Sequence, residues 1–283
     1  MNELNFNHLK GKTCAITGGG GVLGASMAEA LAQAGMQLAI VDINQDAATS
    51  LANRIASEYN VKTLGISANV LDKKSLEEAR NQISQELGPI DFLINGAGGN
   101  SPKATTKAEE ILPDMDGLWE NSFYGLEMEG FRQVFDLNFI GTLLPTMVFT
   151  RDMIDAGKGG VINISSMNAF KPLTKIPAYS AAKSAINNFT QWLAVHLGKT
   201  GIRVNAIAPG FFLTNQNRFL LTDESTGELT PRGHKIIAST PMGKFGDSGD
   251  INGTLLFLLS DLSEFITGVV VPVDGGYSAY GGV

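Results

Sequence analysis

The stretch Thr13-Cys-Ala-Ile-Thr-Gly-Gly-Gly-Gly-Val-Leu-Gly24 contains the pattern that decides the fold. A short apolar run ends in four glycines, and Leu23, Met27 and Leu31 then follow at helical spacing. Glycine allows a tight turn between a strand and a helix, and it lets the backbone come close to a bound phosphate. The stretch therefore predicts a strand, a phosphate-binding turn and a helix, as at the start of a dinucleotide-binding domain.

Short apolar runs recur along the chain and predict strands at about 13–17, 38–41, 63–66, 91–94, 160–165, 203–208 and 269–273. Segments with helical spacing separate these strands, and the longest of them covers about 130–156. This alternation predicts βαβ units with right-handed crossovers, which place helices on both faces of a parallel sheet. We therefore predict an α/β fold: a doubly wound, Rossmann-type sheet of about seven strands, in one domain over residues 1–283.

Two segments interrupt the alternation. Residues 100–126 contain Pro102, Pro113 and Gly117 with weak periodicity, and we interpret them as an insertion. Residues 211–246 are irregular and rich in Thr, Asn and Gly. Ligands of open parallel sheets bind at the carboxyl ends of the strands, so both segments are expected near the substrate.

Composition excludes several classes of partner. The net charge of −7 leaves no basic surface for nucleic acid. Cys14 is the only cysteine, which fits a reducing compartment, and no apolar stretch is long enough for a membrane span. His8, His196 and His234 stand apart, so no metal site is expected. A cytoplasmic protein without a nucleic-acid or membrane partner is predicted.

The choice of dinucleotide depends on Asp42, which ends the predicted second strand. A carboxylate at that position can accept hydrogen bonds from both hydroxyls of an adenosine ribose, and it repels a 2′-phosphate. Neither the glycine turn nor Ile43 and Asn44 provides a cation to neutralise such a phosphate. The sequence therefore favours NAD over NADP. The alternative is that Asp42 only caps the next helix.

A catalytic constellation is suggested by Tyr179 and Lys183, which lie four residues apart and share one helix face. An ammonium beside a phenol favours the phenolate and lowers its pKa, so the phenol can act as a general acid or base. Ser165 and Ser166 end the predicted fifth strand, where a hydroxyl can bind a substrate carbonyl. Asn138 lies within the long predicted helix, where an asparagine is unfavourable and needs a reason.

These residues belong to a set of motifs: Thr17-Gly…Gly24, Asn95-Gly-Ala-Gly98, Asn138, Ser166, Tyr179-x-x-x-Lys183 and Pro209-Gly-x-x-x-Thr214. With this set the chain resembles the short-chain dehydrogenase/reductase family over essentially its whole length. The resemblance implies that Tyr179 transfers a proton, and that Lys183 lowers its pKa and binds the nicotinamide ribose. It also implies that Ser166 orients the carbonyl and that Asn138 holds a water linking Lys183 to bulk solvent.

The resemblance further implies an NAD site. Two departures from the family pattern concern Val22, which takes the place of the usual middle glycine, and the long connection from Asn95 to Asn138. Asn69 stands where the family usually has an aspartate at the adenine. The implied cofactor-binding residues are Gly18, Gly21, Val22, Leu23, Gly24, Asp42, Asn69, Val70, Asn95, Ala97, Tyr179, Lys183, Pro209, Gly210 and Thr214.

A narrower resemblance rests on the segments 165–179 and 209–218 and on the turn from Asn95 to Asn100. These segments are similar to those of the D-mannonate oxidoreductase (fructuronate reductase) group. That similarity implies reversible reduction of the C5 keto group of D-fructuronate to D-mannonate with NADH. A sugar acid needs a cation and several amides. The substrate residues predicted on that basis are Asn100, Asn168, Lys175 and Arg218, with Lys175 or Arg218 binding the carboxylate.

Three alternatives remain open at this point. The substrate could be another polyol or keto acid, as in a gluconate 5-dehydrogenase. A non-catalytic NAD-binding regulator could keep the same fold. The family resemblance implies a homotetramer or homodimer in which Phe189 and Trp192 pack on a second subunit, whereas the alternative places them in an internal core.

Overall fold

The computed structural model describes residues 5–113, 119–213, 221–223 and 226–282. Its strands are β1 (Thr13–Thr17), β2 (Gln37–Asp42), β3 (Thr63–Ser67), β4 (Phe92–Asn95), β5 (Gly159–Ile164), β6 (Ile202–Pro209) and β7 (Val270–Val273). They form one sheet in the order β3-β2-β1-β4-β5-β6-β7, and every adjacent pair is parallel. The strand order reverses between β1 and β4, so the prediction of a doubly wound sheet is confirmed.

Helices cover both faces of this sheet. They are α1 (Val22–Gln33), α2 (Gln45–Tyr59), α3 (Lys73–Glu86), α4 (Met128–Phe135), α5 (Gly141–Phe149), α6 (Arg151–Ala156), α7 (Pro177–Leu197), α8 (Pro231–Ala238) and α9 (Asn252–Leu259). Side chains alternate between the two faces along each strand. Ile16 accordingly belongs to the buried cluster beneath α1, α2 and α9, whereas Ala15 belongs to the cluster beneath α3, α5 and α7. Among the described residues, we find no helix whose length and hydropathy would let it cross a bilayer.

The glycine turn between β1 and α1 has the close packing that its sequence suggests. Gly18 has φ of +64°, and a Cβ there would lie 2.8 Å from the backbone of Ala97. A Cβ at Gly24 would lie 2.4 Å from the Gly18 carbonyl oxygen. The helix therefore begins directly against the turn, which no larger residue at these two positions would allow.

The predicted helix over 130–156 is wrong as a single element. A π-helical turn at Asp136–Ile140 separates α4 from α5, and α6 begins after Thr150. Pro145 lies inside α5 and has no N–H to donate to the preceding turn. Separately, the hydroxyls of Thr142 and Thr146 donate to the carbonyls of Asn138 and Thr142, at 2.8 and 2.7 Å. The π turn leaves Asn138 in a position that a regular helix would not provide.

The insertion contains short 3₁₀ helices at Pro102–Ala104, Trp119–Asn121 and Phe123–Gly125. Its chain contacts the loop before α7, because the Thr106 N–H donates to the Lys175 carbonyl at 2.9 Å. The interpretation of 211–246 as irregular throughout is wrong, since α8 lies within it. Pro231 begins that helix, and this is a start signal that the sequence carries.

Gly24→Ala is expected to lower the free energy of unfolding by about 1–3 kcal/mol, because the added methyl overpacks the turn. Gly253→Ala is the matched control, since nothing lies within 4 Å of an added Cβ at the start of α9. Alanine favours a helix over glycine by about 1 kcal/mol, so the control should be as stable as the native chain or more so. Urea unfolding measures both variants, and equal changes would contradict the packing assigned to Gly24.

Candidate active site

Three of the predicted catalytic side chains meet where β5 ends and α7 begins. Ser166 and Tyr179 line the same cavity. One helical turn later, the Lys183 ammonium lies 5.5 Å from the centre of the Tyr179 ring. It donates to the carbonyl oxygen of Ile164, the last residue of β5, at 2.8 Å. The end of β5 therefore fixes the ammonium by a hydrogen bond, and α7 holds the phenol next to it.

The fourth predicted catalytic residue, Asn138, completes this group from the π turn. Its side chain is fully buried and donates to the carbonyls of Gly99 and Val134, both at 2.7 Å. A Cβ added at Gly98 would lie 2.7 Å from Asn138 Oδ1 and 3.3 Å from Lys183 Nζ. Asn138 and Lys183 thus flank the same glycine, and the water predicted between Lys183 and solvent stays a prediction.

Burial controls the protonation of both titratable groups. Desolvation lowers the pKa of Lys183 to about 8, because the buried ammonium loses its hydration. Tyr179 is only partly exposed along the cleft, and desolvation raises its pKa, whereas the hydrogen bond from Ser166 lowers it to a smaller extent. Lowering of the Tyr179 pKa by Lys183 stays a prediction.

The carboxylate of Asp42 belongs to the glycine turn. It accepts from the Gly20 N–H at 3.0 Å and from the Asn44 N–H at 3.0 Å. Asn44 itself caps α2 by accepting from the Ala47 N–H at 3.1 Å, so the alternative role of Asp42 as the helix cap is wrong. Within the described part of the chain, no Lys or Arg forms an ion pair with Asp42. These features fit a ribose diol better than a 2′-phosphate.

The other predicted cofactor residues differ in how they are placed. Gly21 precedes α1, whose first turn contains Val22, Leu23 and Gly24, and Pro209 and Gly210 end β6 and start the loop after it. The Asn69 side chain accepts from the Leu71 N–H at 3.0 Å, and Val70 packs against Gly141. Two predicted residues, Thr214 and Arg218, lie outside the described residues.

Asn95 directs its side chain into the core. Its Nδ2 donates to Thr146 Oγ1 and to Asn163 Oδ1, both at 2.8 Å, and Asn163 in turn donates to Thr190 at 2.9 Å. This buried chain of polar groups joins β4, β5, α5 and α7. The sequence did not indicate the partners, because they are distant along the chain. The side chain of Asn95 therefore supports the strand end, and its contact with the cofactor stays a prediction.

A cavity of about 210 Å³ opens beside the catalytic hydroxyls. Its lining combines polar and apolar side chains: Ser166, Met167, Asn168, Leu173, Ile176, Tyr179, Gly210, Phe211, Leu221 and Arg232. A second cavity, of about 250 Å³, lies between the loop after β6 and the end of β7, and none of the predicted catalytic residues lines it. We therefore take the smaller cavity as the substrate pocket.

The predicted substrate residues are only partly brought together by this pocket. Asn168 lines it, whereas Asn100 is exposed and donates to Thr105 Oγ1 at 2.9 Å within the insertion. Lys175 faces Glu109, with 4.0 Å between Nζ and Oε1. Sequence reasoning missed Arg232, because α8 was not predicted. In the described ranges, no three His, Cys, Asp or Glu side chains form a metal-binding group.

Two aromatic residues lie on the face of α7 opposite the catalytic pair, and they differ in burial. Phe189 is buried and meets Phe139 edge to face, with ring centres 5.9 Å apart. Trp192 is 57% exposed and stacks on His196. Phe189 therefore belongs to the internal core, and only Trp192 is available to a neighbouring subunit. The homotetramer or homodimer stays a prediction.

The chain is similar in sequence to one protein family and to several known oxidoreductases. The sequence pattern of the enoyl-(acyl carrier protein) reductase family, adh_short_C2, matches residues 21–278. An uncharacterized oxidoreductase of Haemophilus influenzae is 50% identical and matches 100% of this chain and 99% of its own. The uncharacterized oxidoreductase UxuB of Bacillus subtilis is 48% identical over 100% of both chains. The 2-dehydro-3-deoxy-D-gluconate 5-dehydrogenase of Formosa agariphila is 32% identical and matches 98% of this chain and 96% of its own.

Two solved structures extend the comparison to three dimensions. A Haemophilus influenzae protein provisionally described as a D-mannonate oxidoreductase, with NAD bound, superposes with a TM-score of 0.92. It is 51% identical, and the alignment covers 97% of this chain and 98% of that one. An NAD⁺-bound xylitol dehydrogenase has a TM-score of 0.82 at 28% identity, with 95% and 99% of the two chains covered.

The buried Lys183 predicts a pH-dependent stability. Its pKa is about 8 in the folded chain against 10.5 without burial, so the unfolded state binds more protons between these values. Stability contributed by this group therefore rises with pH in that window. Relative to Lys183→Met, the native chain should gain about 1–2 kcal/mol of unfolding free energy between about pH 7.5 and 9.5.

Urea unfolding of both proteins at the two pH values measures this gain. Lys199→Met is the matched control, because Lys199 is exposed just after α7 and its difference from the native chain should stay constant. A Lys183→Met difference that does not change with pH would contradict the desolvated state of this ammonium.

Proposed function

The chain belongs to the short-chain dehydrogenase/reductase family, and we propose that it transfers a hydride between NAD(H) and the keto or hydroxyl group of a sugar acid. It is an oxidoreductase of this family. The observation that carries the substrate proposal is the pocket itself, where the hydroxyls of Ser166 and Tyr179 converge with a buried amide, Asn168, and a cation, Arg232.

The chemistry of the pocket suits a small polar anion. A few fixed polar groups in an otherwise apolar cleft set the orientation of a ligand. Here those groups are two hydroxyls, one amide and one guanidinium. They complement a carbonyl, further hydroxyls and a carboxylate, whereas a steroid or an acyl chain would leave the buried amide unpaired.

The specific reaction we propose is reduction of D-fructuronate to D-mannonate at C5, with the reverse oxidation. The similarity to the NAD-bound protein described as a D-mannonate oxidoreductase supports this choice, at 51% identity over 97% of the chain. The second candidate is reduction at C5 of another keto acid of the gluconate series. It is supported by the relative that acts on 2-dehydro-3-deoxy-D-gluconate.

The glycine turn and Asp42 have the shape and charge that an NAD cofactor needs. The turn from Gly18 to Gly24 leaves no room for a Cβ at either end, and α1 follows it with its amino end towards the turn. The carboxylate of Asp42 is fixed by two backbone amides beside the turn, which suits a ribose diol. When NADH is bound, its nicotinamide supplies the hydride that reduces the carbonyl carbon.

The side chains of this chain handle the proton and the orientation. A raised pKa keeps the Tyr179 phenol protonated near neutral pH, so it can donate its proton to the carbonyl oxygen as that oxygen becomes a hydroxyl. Ser166 accepts from the Asn168 N–H at 3.2 Å, which holds its hydroxyl next to the phenol, where it can bind the same oxygen. Lys183 places a positive charge beneath the phenolate that remains, which stabilises it until it is reprotonated.

Tyr179→Phe should reduce kcat by about 10²–10⁴, because the variant loses its general acid. Binding of NADH, followed by fluorescence, should be unchanged. Tyr59→Phe is the control, since it removes the same hydroxyl from α2, far from the pocket. Near-native turnover by Tyr179→Phe would rule out the phenol as the proton donor.

Asp42→Ala should lower the ratio of kcat/KM for NADH to that for NADPH by at least about tenfold, because one charge-assisted contact to the ribose is lost. Asp46→Ala, which removes an exposed carboxylate from the first turn of α2, should leave the ratio unchanged. An unaltered ratio in Asp42→Ala would mean that the ribose is recognised elsewhere.

The substrate proposal is tested by the rate of NADH oxidation with D-fructuronate, D-tagaturonate, 5-keto-D-gluconate and an acyclic diketone, and by the same series with NADPH. We expect fast turnover of D-fructuronate with NADH. Preference for 5-keto-D-gluconate would favour the second candidate. Preference for the diketone would overturn the assignment to sugar acids. If NADH binds but nothing is reduced, a non-catalytic NAD-binding regulator becomes the better description.

A further inference from the structure

We propose that Arg232 binds the carboxylate of the substrate and so makes this pocket prefer keto acids to neutral keto sugars. The inference rests on the proposed function and assigns a role to a residue outside the family motifs. Arg232 lines the same cavity as Ser166 and Tyr179. It comes from α8, far along the chain from the catalytic pair, so the pocket has a charged wall supplied by an independent element.

The amino end of α8 is fixed against the pocket. Thr230 caps the helix by accepting from the Gly233 N–H at 3.1 Å, and Pro231 occupies its first position. A Cβ at Gly233 would lie 2.3 Å from the carbonyl oxygen of Leu221, which is itself a pocket residue. This close approach holds the first turn of α8 at the cavity, and Arg232 lies within that turn.

Arg232 is exposed, and within the described part of the chain it forms no ion pair within 4.0 Å. The neighbouring acid, Glu109, is taken by Lys235 at 2.9 Å and by Lys175 at 4.0 Å. Hydrogen bonding from Lys235 is the main cause that lowers the pKa of Glu109, and Arg232 has the smallest effect. A guanidinium in the pocket wall is therefore left for an external anion.

Its position in the helix strengthens this argument. A cation in the first turn is unfavourable, because the amino end of a helix already carries a partial positive charge. The first turn of α8 contains no acidic residue to offset it. A bound carboxylate would interact favourably with both the guanidinium and the helix end, and an arginine fork can bind both carboxylate oxygens at once.

A second observation also points to a polar ligand. Asn168 is buried in the same pocket, and its Oδ1 has no hydrogen-bond partner among the described residues. A buried acceptor without a donor is costly, so this amide favours a ligand group that supplies the missing hydrogen bond. The pocket thus combines a buried amide, a cation for a carboxylate, and the Ser166–Tyr179 pair for a carbonyl. A short polyhydroxylated keto acid has a hydroxyl, a carboxylate and a carbonyl to match them.

This proposal differs from the sequence expectation that Lys175 or Arg218 binds the carboxylate. Lys175 faces Glu109, outside the cavity lining, and Arg218 lies outside the described residues. Arg232 is the one Lys or Arg in the described part of the chain that lines the substrate cavity.

The test compares two substrates that differ only at the end of the chain. D-Fructuronate and D-fructose share the keto group and its neighbours, but D-fructose has a hydroxymethyl group in place of the carboxylate. Arg232→Gln should lower kcat/KM for D-fructuronate by about 10²-fold, mainly through KM, and should leave kcat/KM for D-fructose within about threefold. Arg232→Lys should recover part of the loss, because it restores the charge but not the fork.

Lys199→Gln is the matched control, since it removes one exposed positive charge just after α7 without touching the pocket or Glu109. Calorimetric binding of D-mannonate to the NAD-loaded enzyme gives a readout that does not need turnover. It should weaken by about 10²-fold in Arg232→Gln and stay within about threefold of the native value in Lys199→Gln.

Three results would overturn the proposal: an unchanged D-fructuronate rate in Arg232→Gln, equal losses for both sugars, or an equal loss in Lys199→Gln. Equal loss in the control would mean that only the overall charge of the protein acts on the substrate. If the native enzyme reduces no keto acid, the proposed function fails. If it reduces D-fructuronate and Arg232→Gln does so equally well, only the role of Arg232 fails.

Discussion

The buried ammonium of Lys183 is the constraint on which the rest of the site depends. Removing an ammonium from water is unfavourable unless its hydrogen bonds are replaced, and here the Ile164 carbonyl at the end of β5 accepts one of them. The strand end and α7 must therefore stay in register. Gly98 provides the space that the ammonium and Asn138 occupy together, because any side chain there would collide with Asn138. Lys183 therefore affects both the stability of the fold and the chemistry of the site.

The π turn around Asn138 and a buried polar network around Asn95 also position the residues of the site. The π turn moves Asn138 out of a regular helical position, and its amide then fixes the backbone of Gly99. Buried polar groups around Asn95 connect the two central strands to α5 and α7. Breaking a contact in this network would leave a further buried group unpaired, in addition to Asn95 Oδ1, which has no partner among the described residues. The catalytic hydroxyls consequently face a preformed cavity, whose far wall is the first turn of α8.

Local patterns in the sequence identified the strand–turn–helix at Gly18 and the pairing of Tyr179 with Lys183, because both depend on residues close together in the chain. The sign of the Tyr179 pKa shift could not be read from that spacing, since desolvation depends on the complete fold. Arg232 was missed for a similar reason: its relevance depends on where α8 packs. Only the Thr230-Pro231 start signal hinted at that helix.

The most direct test of the central claim is to identify the product and the position of the hydride. The enzyme is incubated with D-fructuronate and NADH that carries deuterium at both C4 positions, and the product is examined by NMR. We predict D-mannonate carrying one deuterium at C5, in step with the NADH consumed. Absence of D-mannonate would contradict D-fructuronate as the substrate, and D-mannonate without deuterium at C5 would contradict hydride transfer from the nicotinamide to that carbon.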